Sequence, residues 1–452
     1  MSGSKCLSSE CPHIAFIPSG MGNLAPFFQL ASKLAAHNSN VTFFILQPQP
    51  SSSGSYISSF FSKHPQIKRF DFEIHHENPS SSMTKDPFMT RIEAINNSLH
   101  HLGRIIPSFD PPQLSAIFSD FVIAATLTQI AADLSIPLYI VSTTSAKFYS
   151  LVAYLPVLIS KNPDIFRDHH GDIEIPGLSP AAKTSIPPTW LHDSPSNYLL
   201  TEYLLPNAKS LPKVNGVFLN SFNWFEPETI AALSSGRVSS DLPPVFPVGP
   251  LEIYSLEKGH HFPWLDDQSS ESVIYVDFVR GALKTCQMKE LAKGLEMSGY
   301  PFLWVLHEND EPGDFLGDSF LNGLKNQGKT IKGSVSQAEI LAHPATGGFV
   351  NQCDWDSVMA AAREGVPILA WPHHGDQKMN AEVVDKAGLG IWVKDWGWAG
   401  QRLVKAEEIG EMLRQMMTDL NLRCTAKKVK EEAWKACEVW GSLDVLNGII
   451  KS

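Results

Sequence analysis

Residues 333–377 read GSVSQAEILAHPATGGFVNQCDWDSVMAAAREGVPILAWPHHGDQ. Phe349–Val350 closes an apolar run that follows two glycines, as a buried strand does. Ser357–Arg363 has a helical pattern, and Val366–Trp371 is a second short apolar strand. A strand–loop–helix unit points free N–H groups and the positive end of the helix dipole at one place, and that place suits an anion. Asp354 and Asp356 stand where such a helix begins. A carboxylate there can cap the free N–H groups itself and take the place of an external anion.

The same residues resemble the donor signature of the plant family-1 UDP-dependent glycosyltransferases. The matching frame is Gln337, then HPATGGFV (343–350), QCDWDSVMA (352–360), GVPILAWP (365–372) and Asp376–Gln377. The resemblance implies an α/β fold of two Rossmann-like domains facing each other across a cleft, with a UDP-sugar on the second. It also implies roles that several residues here do not match. The uracil-stacking Trp is Ser334, the ribose-binding Glu is Ala360, and the phosphate-contacting His is Gln352. A Gly of close approach is Asp354, and an Asn near phosphate and sugar is Asp356. Val279 stands where a second backbone approach is implied, after Asp277. Gln337, Ser357, Asp376 and Gln377 keep the family's residue types.

Magnitudes give these departures weight. A lost aromatic stack costs ~1–3 kcal/mol. Lost carboxylate–diol hydrogen bonds cost ~1.5–3 kcal/mol. A carboxylate beside a diphosphate adds roughly 1–4 kcal/mol of repulsion per charge pair. Together they exceed ~5 kcal/mol, or more than a thousandfold in affinity.

Outward from this stretch, the chain of 452 residues is too long for one core. Expected are an acceptor-binding domain over 1–245, a donor-type domain over 246–430, and a C-terminal helix over 431–452 that returns to the first domain. LPPVFPVGPL (242–251) reads as the linker. HIAFIPSGMGNL (13–24), a helix over Pro26–Ala36 and a strand over Val41–Gln47 give the β–turn–α–β order of a doubly wound parallel sheet. GMGNL resembles the family's GMGHL, closest to its branch that attaches sugars to carbon of polyphenols. The catalytic His of that motif is Asn23, whose amide cannot take a proton. FSDFVIAA (118–125) places Asp120 where the resemblance implies a partner of that His. By itself Asp120 is either a base or a paired structural carboxylate.

The resemblance also implies an acceptor pocket from Met21, Ser145, Phe148 and the segment Thr189–Leu205, read as a mobile loop that carries His192 and Tyr203. His373 and His374 precede Asp376–Gln377 and are candidate acids or bases near neutral pH. NSFNWFE (220–226) matches a further family segment that ends in Glu226.

Composition sets limits. The chain is 43% hydrophobic and 18% charged, with net charge −11, which argues against nucleic acid or an anionic membrane as partner. Cys6, Cys11, Cys286, Cys353, Cys424 and Cys437 show no zinc spacing and read as reduced thiols of a cytoplasmic protein. No signal segment, membrane-length run, metal cluster or cofactor motif is visible.

Three functions follow. The leading expectation is a repurposed enzyme that binds an aromatic or polyketide-like molecule and catalyses a sugar-free step, such as cyclisation, isomerisation, dehydration or a pericyclic reaction. It needs no cofactor, and Asn23, Asp120, His373 and His374 are its catalytic candidates. The second is an active UDP-sugar-dependent C- or O-glycosyltransferase on a polyphenol. The third is a non-catalytic partner of other pathway enzymes.

Overall fold

The computed structural model describes residues 11–20, 24–37, 39–47, 54–75, 87–109, 112–167, 171–190, 199–251, 262–279, 281–306, 327–333 and 335–441. The first half forms β1 (His13–Ile17), β2 (Asn40–Gln47), β3 (Ile67–Glu73), β4 (Leu114–Ser119) and β5 (Leu138–Ser142). A two-residue hairpin follows, β6 (Asp172–Ile173) with β7 (Ala181–Ala182), then β8 (Gly216–Leu219) and β9 (Val245–Pro247). Seven of these make one parallel sheet in the order β3-β2-β1-β4-β5-β8-β9.

The second half contributes β10 (Val273–Asp277), β11 (Phe302–Leu306), β12 (Gly328–Lys332), β13 (Thr346–Asn351), β14 (Ile368–Ala370) and β15 (Gly390–Trp392). They form a parallel sheet ordered β12-β11-β10-β13-β14-β15. Sheets covered on both faces need strands that are apolar throughout, and β1, β5, β11 and β13 are buried at every residue.

Seven helices position the site: α1 (Ala25–Ala36), α2 (Ala124–Leu134), α3 (Ala146–Lys161), α4 (Thr285–Ser298), α5 (Trp355–Glu364), α6 (Gln377–Lys386) and α7 (Leu420–Gly441). In each sheet the strand order reverses once, between β1 and β4 and between β10 and β13. Ligands of open parallel sheets bind outside the carboxyl ends of the strands at such a reversal.

The halves share side chains. Met379 of α6 is fully buried within the first half's core. Phe222 and Phe225, which follow β8, are buried within the second half's core.

Three expectations are corrected. The segment 242–251 is not linker throughout, because β9 extends the first sheet to Pro247. The segment Thr189–Leu205 is not a loop to its end, since Leu199–Leu204 is π-helical and runs into a helix over Leu205–Ser210. The separate C-terminal helix expected from residue 431 begins earlier, because α7 runs unbroken through 430. Its Val429 and Ala433 are buried in the second core.

Candidate active site

At the first reversal the backbone N–H of Ser19, just past β1, donates to Asp120 Oδ2 at 2.6 Å. Asp120, just past β4, also accepts from the Val122 N–H at 3.1 Å. The carboxyl is buried and its pKa is raised by that burial, against the opposing pull of the Ser19 and Val122 hydrogen bonds. Asp120 therefore pins the chain just past β1 to the end of β4. Met21, Asn23, His192 and Ser334 lie outside the described residues.

Beside this point stands the N-terminus of α3. Ser145 is its N-cap and accepts from the Phe148 N–H at 3.2 Å. Phe148 is buried, with its ring 5.7 Å from that of Trp190. Two further N–H groups, of Ala146 and Lys147, donate to the two oxygens of Glu226 at 2.9 Å each. Ser221 Oγ donates to the same carboxylate at 2.7 Å. Burial raises the Glu226 pKa. Sequence reasoning noted Glu226 only as the end of a motif. Its structural task is to cap the helix that carries Ser145 and Phe148. Tyr203 sits in the π-helical turn, where its carbonyl accepts from Asn207 Nδ2 at 2.7 Å.

The second reversal holds a connected polar network. Tyr275 donates its hydroxyl to Asp277 Oδ2 at 2.8 Å, and Gln337 Nε2 lies 3.3 Å from the same oxygen. Ser357 Oγ is 3.1 Å from Gln337 Oε1 and 2.9 Å from Asp354 Oδ1. Gln352 Nε2 donates to Asp354 Oδ2 at 2.9 Å, while its Oε1 accepts from the Val279 N–H at 3.1 Å. Asp354 is the N-cap of α5 and accepts from the Ser357 N–H at 3.4 Å, as its position at the helix start predicts; Asp356 lies in the first turn. Burial raises the Asp354 pKa, and the charge of Asp277 adds to the rise. Ala360 is buried in the second core, whereas the Val279 side chain is exposed.

At the start of α6, Gln377 Oε1 accepts from the N–H groups of His373 and His374, at 2.8 and 2.9 Å. Gln377 thus shapes the HHGD turn from within, where it is buried. Partial burial lowers the pKa of both histidines, and the neighbouring His373 adds to the fall at His374. Burial pushes Asp376 up to about 6, and the nearby Asp354 charge adds to this.

Two parallel-sheet α/β domains thus each carry a polar cluster at their strand reversal. A family model described as "UDP-glucoronosyl and UDP-glucosyl transferase" matches residues 270–409. UDP-glycosyltransferase 708G2 of Citrus unshiu is 42% identical over 95% of this chain and 94% of its own length. A rice UDP-glycosyltransferase CGT is 38% identical over 95% and 93%. The crystal structure of LpCGTa in complex with UDP superposes with a TM-score of 0.86, at 37% identity, over 98% of this chain and all of that one. The chain belongs to the plant family-1 UDP-glycosyltransferases.

These relatives overturn the expected sugar-free step. Proteins alike along almost the whole chain are named as UDP-glycosyltransferases, C-glycosyltransferases among them, and the LpCGTa structure holds UDP. Gln352, Asp354, Ser357 and Gln337 form one ordered network, so the effects of these substitutions are coupled and not additive.

Among the described residues no helix is long and apolar enough to cross a membrane. Among the described residues Cys11, Cys286, Cys353 and Cys424 are free thiols, and the Cys437 thiol donates to the Pro250 carbonyl at 3.4 Å.

Proposed function

We propose that the protein transfers a sugar from a UDP-sugar to an aromatic, polyphenol-like acceptor. The observation that carries this reading is the near full-length likeness to UDP-glycosyltransferases of a chain whose two strand reversals each hold an ordered polar cluster. The donor binds at the second reversal, around the start of α5 and Asp376–Gln377. The acceptor binds at the first, beside Asp120 and the N-terminus of α3.

In the reaction a nucleophilic carbon or oxygen of the acceptor attacks the anomeric carbon. The bond to the diphosphate breaks, UDP leaves with the electron pair, and the acceptor loses one proton. Asn23 cannot accept that proton. Both oxygens of Asp120 already accept backbone N–H groups. This favours an acceptor that enters as its own phenolate and attacks through the activated ring carbon. The localisation we propose is cytoplasmic.

The test is incubation of the pure protein with UDP-glucose and a panel of di- and trihydroxyphenyl ketones, read by mass spectrometry. Expected is a product heavier by one hexosyl group that resists acid hydrolysis, as a C-glycoside does. An acid-labile product would assign O-transfer. No hexosylated product across the panel, with UDP-glucose intact, would refute the reading.

A further inference from the structure

Helix α6 begins with Asp376 and Gln377 on the donor side and then presents three charged residues one turn apart to the first domain. Lys378 Nζ donates to the Thr184 carbonyl at 3.0 Å and lies 4.5 Å from the centre of the Trp398 ring. Glu382 forms an ion pair with Lys147. Lys386 pairs with Glu228 at 2.5 Å. Positions i, i+4 and i+8 lie on one helix face, so the three contacts form a single seam.

The middle contact differs from its neighbours. The Lys147 side chain is only 9% exposed and that of Glu382 26%, whereas Lys386 and Glu228 are 58% and 61% exposed. The outer pair sits in water, where such contacts count for little. Lys147 also occupies a particular place on its own helix. Its backbone N–H is one of the two held by Glu226, and its neighbours Ser145 and Phe148 open α3. One buried ammonium therefore ties the first turn of the acceptor-side helix to the second turn of the donor-side helix. A cavity of about 930 Å³ opens beside this tie, lined by Phe222, Trp224, Glu228, Val383, Lys386 and Lys435. The region next to the pair is thus not packed solid, and the pair helps fix the register of the two helices alongside Met379, which is buried in the first half's core.

The geometry points to Lys147 as a positioning residue of the transfer reaction, acting through Glu382 to hold the acceptor at the working distance from the sugar. The inference rests on the transferase reading above. Two packed apolar side chains would join the domains as firmly. What an ion pair adds is a fixed direction and register, and a displacement of about 1 Å between reacting groups costs on the order of 100-fold in rate.

The test is a double-mutant cycle of Lys147→Met and Glu382→Gln, with Lys147→Arg as the conservative variant. Each is assayed for kcat, for KM of donor and acceptor, and for its unfolding midpoint. Expected is a kcat lowered by about 10- to 100-fold in each single variant, with the KM for UDP-glucose within about twofold. The double variant should be no slower than Lys147→Met, and Lys147→Arg should keep most of the rate. Lys147→Met keeps the protein folded if Glu382→Gln, which leaves the Lys147 ammonium buried and unpaired, does not, because Glu382 left alone reaches solvent. A kcat within twofold of wild type would overturn the inference, as would additive losses or losses that track the unfolding midpoint. Small-angle scattering separates the two claims. If the wild type transfers no sugar, the function fails. The tie itself is then supported by a pair-distance distribution that broadens in the single variants, and overturned by one that does not change.

Discussion

Asp354 meets two opposing demands. As N-cap it satisfies the first turn of α5, and as a carboxylate it places negative charge where the helix would attract an anionic ligand. Asn caps as well as Asp does, so Asp354→Asn separates the two. Expected is UDP binding tightened at least about fivefold at pH 8, or ~1 kcal/mol, by calorimetric titration. The gain should shrink as pH falls, because the wild-type carboxyl, its pKa already raised, takes up a proton. Weaker binding in the variant would show that the charge supports the donor through Gln352. Asp376 gives a second case at this scale. Its folded-state pKa of about 6 lies above that of an unfolded Asp, so the folded protein holds this proton more tightly. Its contribution to stability is therefore lost as pH rises from about 4 to 6. The loss is at most on the order of 3 kcal/mol. Asp376→Asn should match the wild type in urea midpoint near pH 4 and exceed it at pH 7.5, while transfer slows. Equal midpoints at both pH values would contradict this.

Elements were legible where one pattern dominated. The apolar runs that begin at His13 and close at Phe349–Val350 lie in buried parallel strands, and the helix expected over Ser357–Arg363 occupies Trp355–Glu364. The failures involve proline. The loop read over Thr189–Leu205 ends in a helix that Pro206 does not disrupt, because it sits in the first turn of Leu205–Ser210, where its missing N–H costs nothing. The prolines of 242–251 suggested linker, yet β9 is an edge strand, where proline is tolerated. Long-range pairs such as Lys147–Glu382 and Val279–Gln352 were invisible, since no local period links residues 235 or 73 positions apart. Gly347 shows how closely elements approach. A Cβ there would lie 2.1 Å from the Glu271 carbonyl oxygen, which is backbone and cannot swing aside. Gly347→Ala should cost about 3 kcal/mol or more, read as a shift in denaturant midpoint at unchanged slope. A midpoint equal to wild type would show that the chain at Glu271 yields.

For the whole molecule, sequence resemblance reached fold and family, and what the relatives contradict is the sugar-free step inferred from the altered side chains. The crossing of side chains between the halves has a consequence for how the protein comes apart. Met379 is a plug from the second domain seated in the first, and Phe222 and Phe225 are plugs in the opposite direction. Neither half can melt without uncorking the other. Scanning calorimetry should therefore give one endotherm whose calorimetric and van't Hoff enthalpies agree, despite two separate sheets. Two resolved peaks would mean the plugs slide free at little cost. Met379→Ala should be the single change that splits one peak into two.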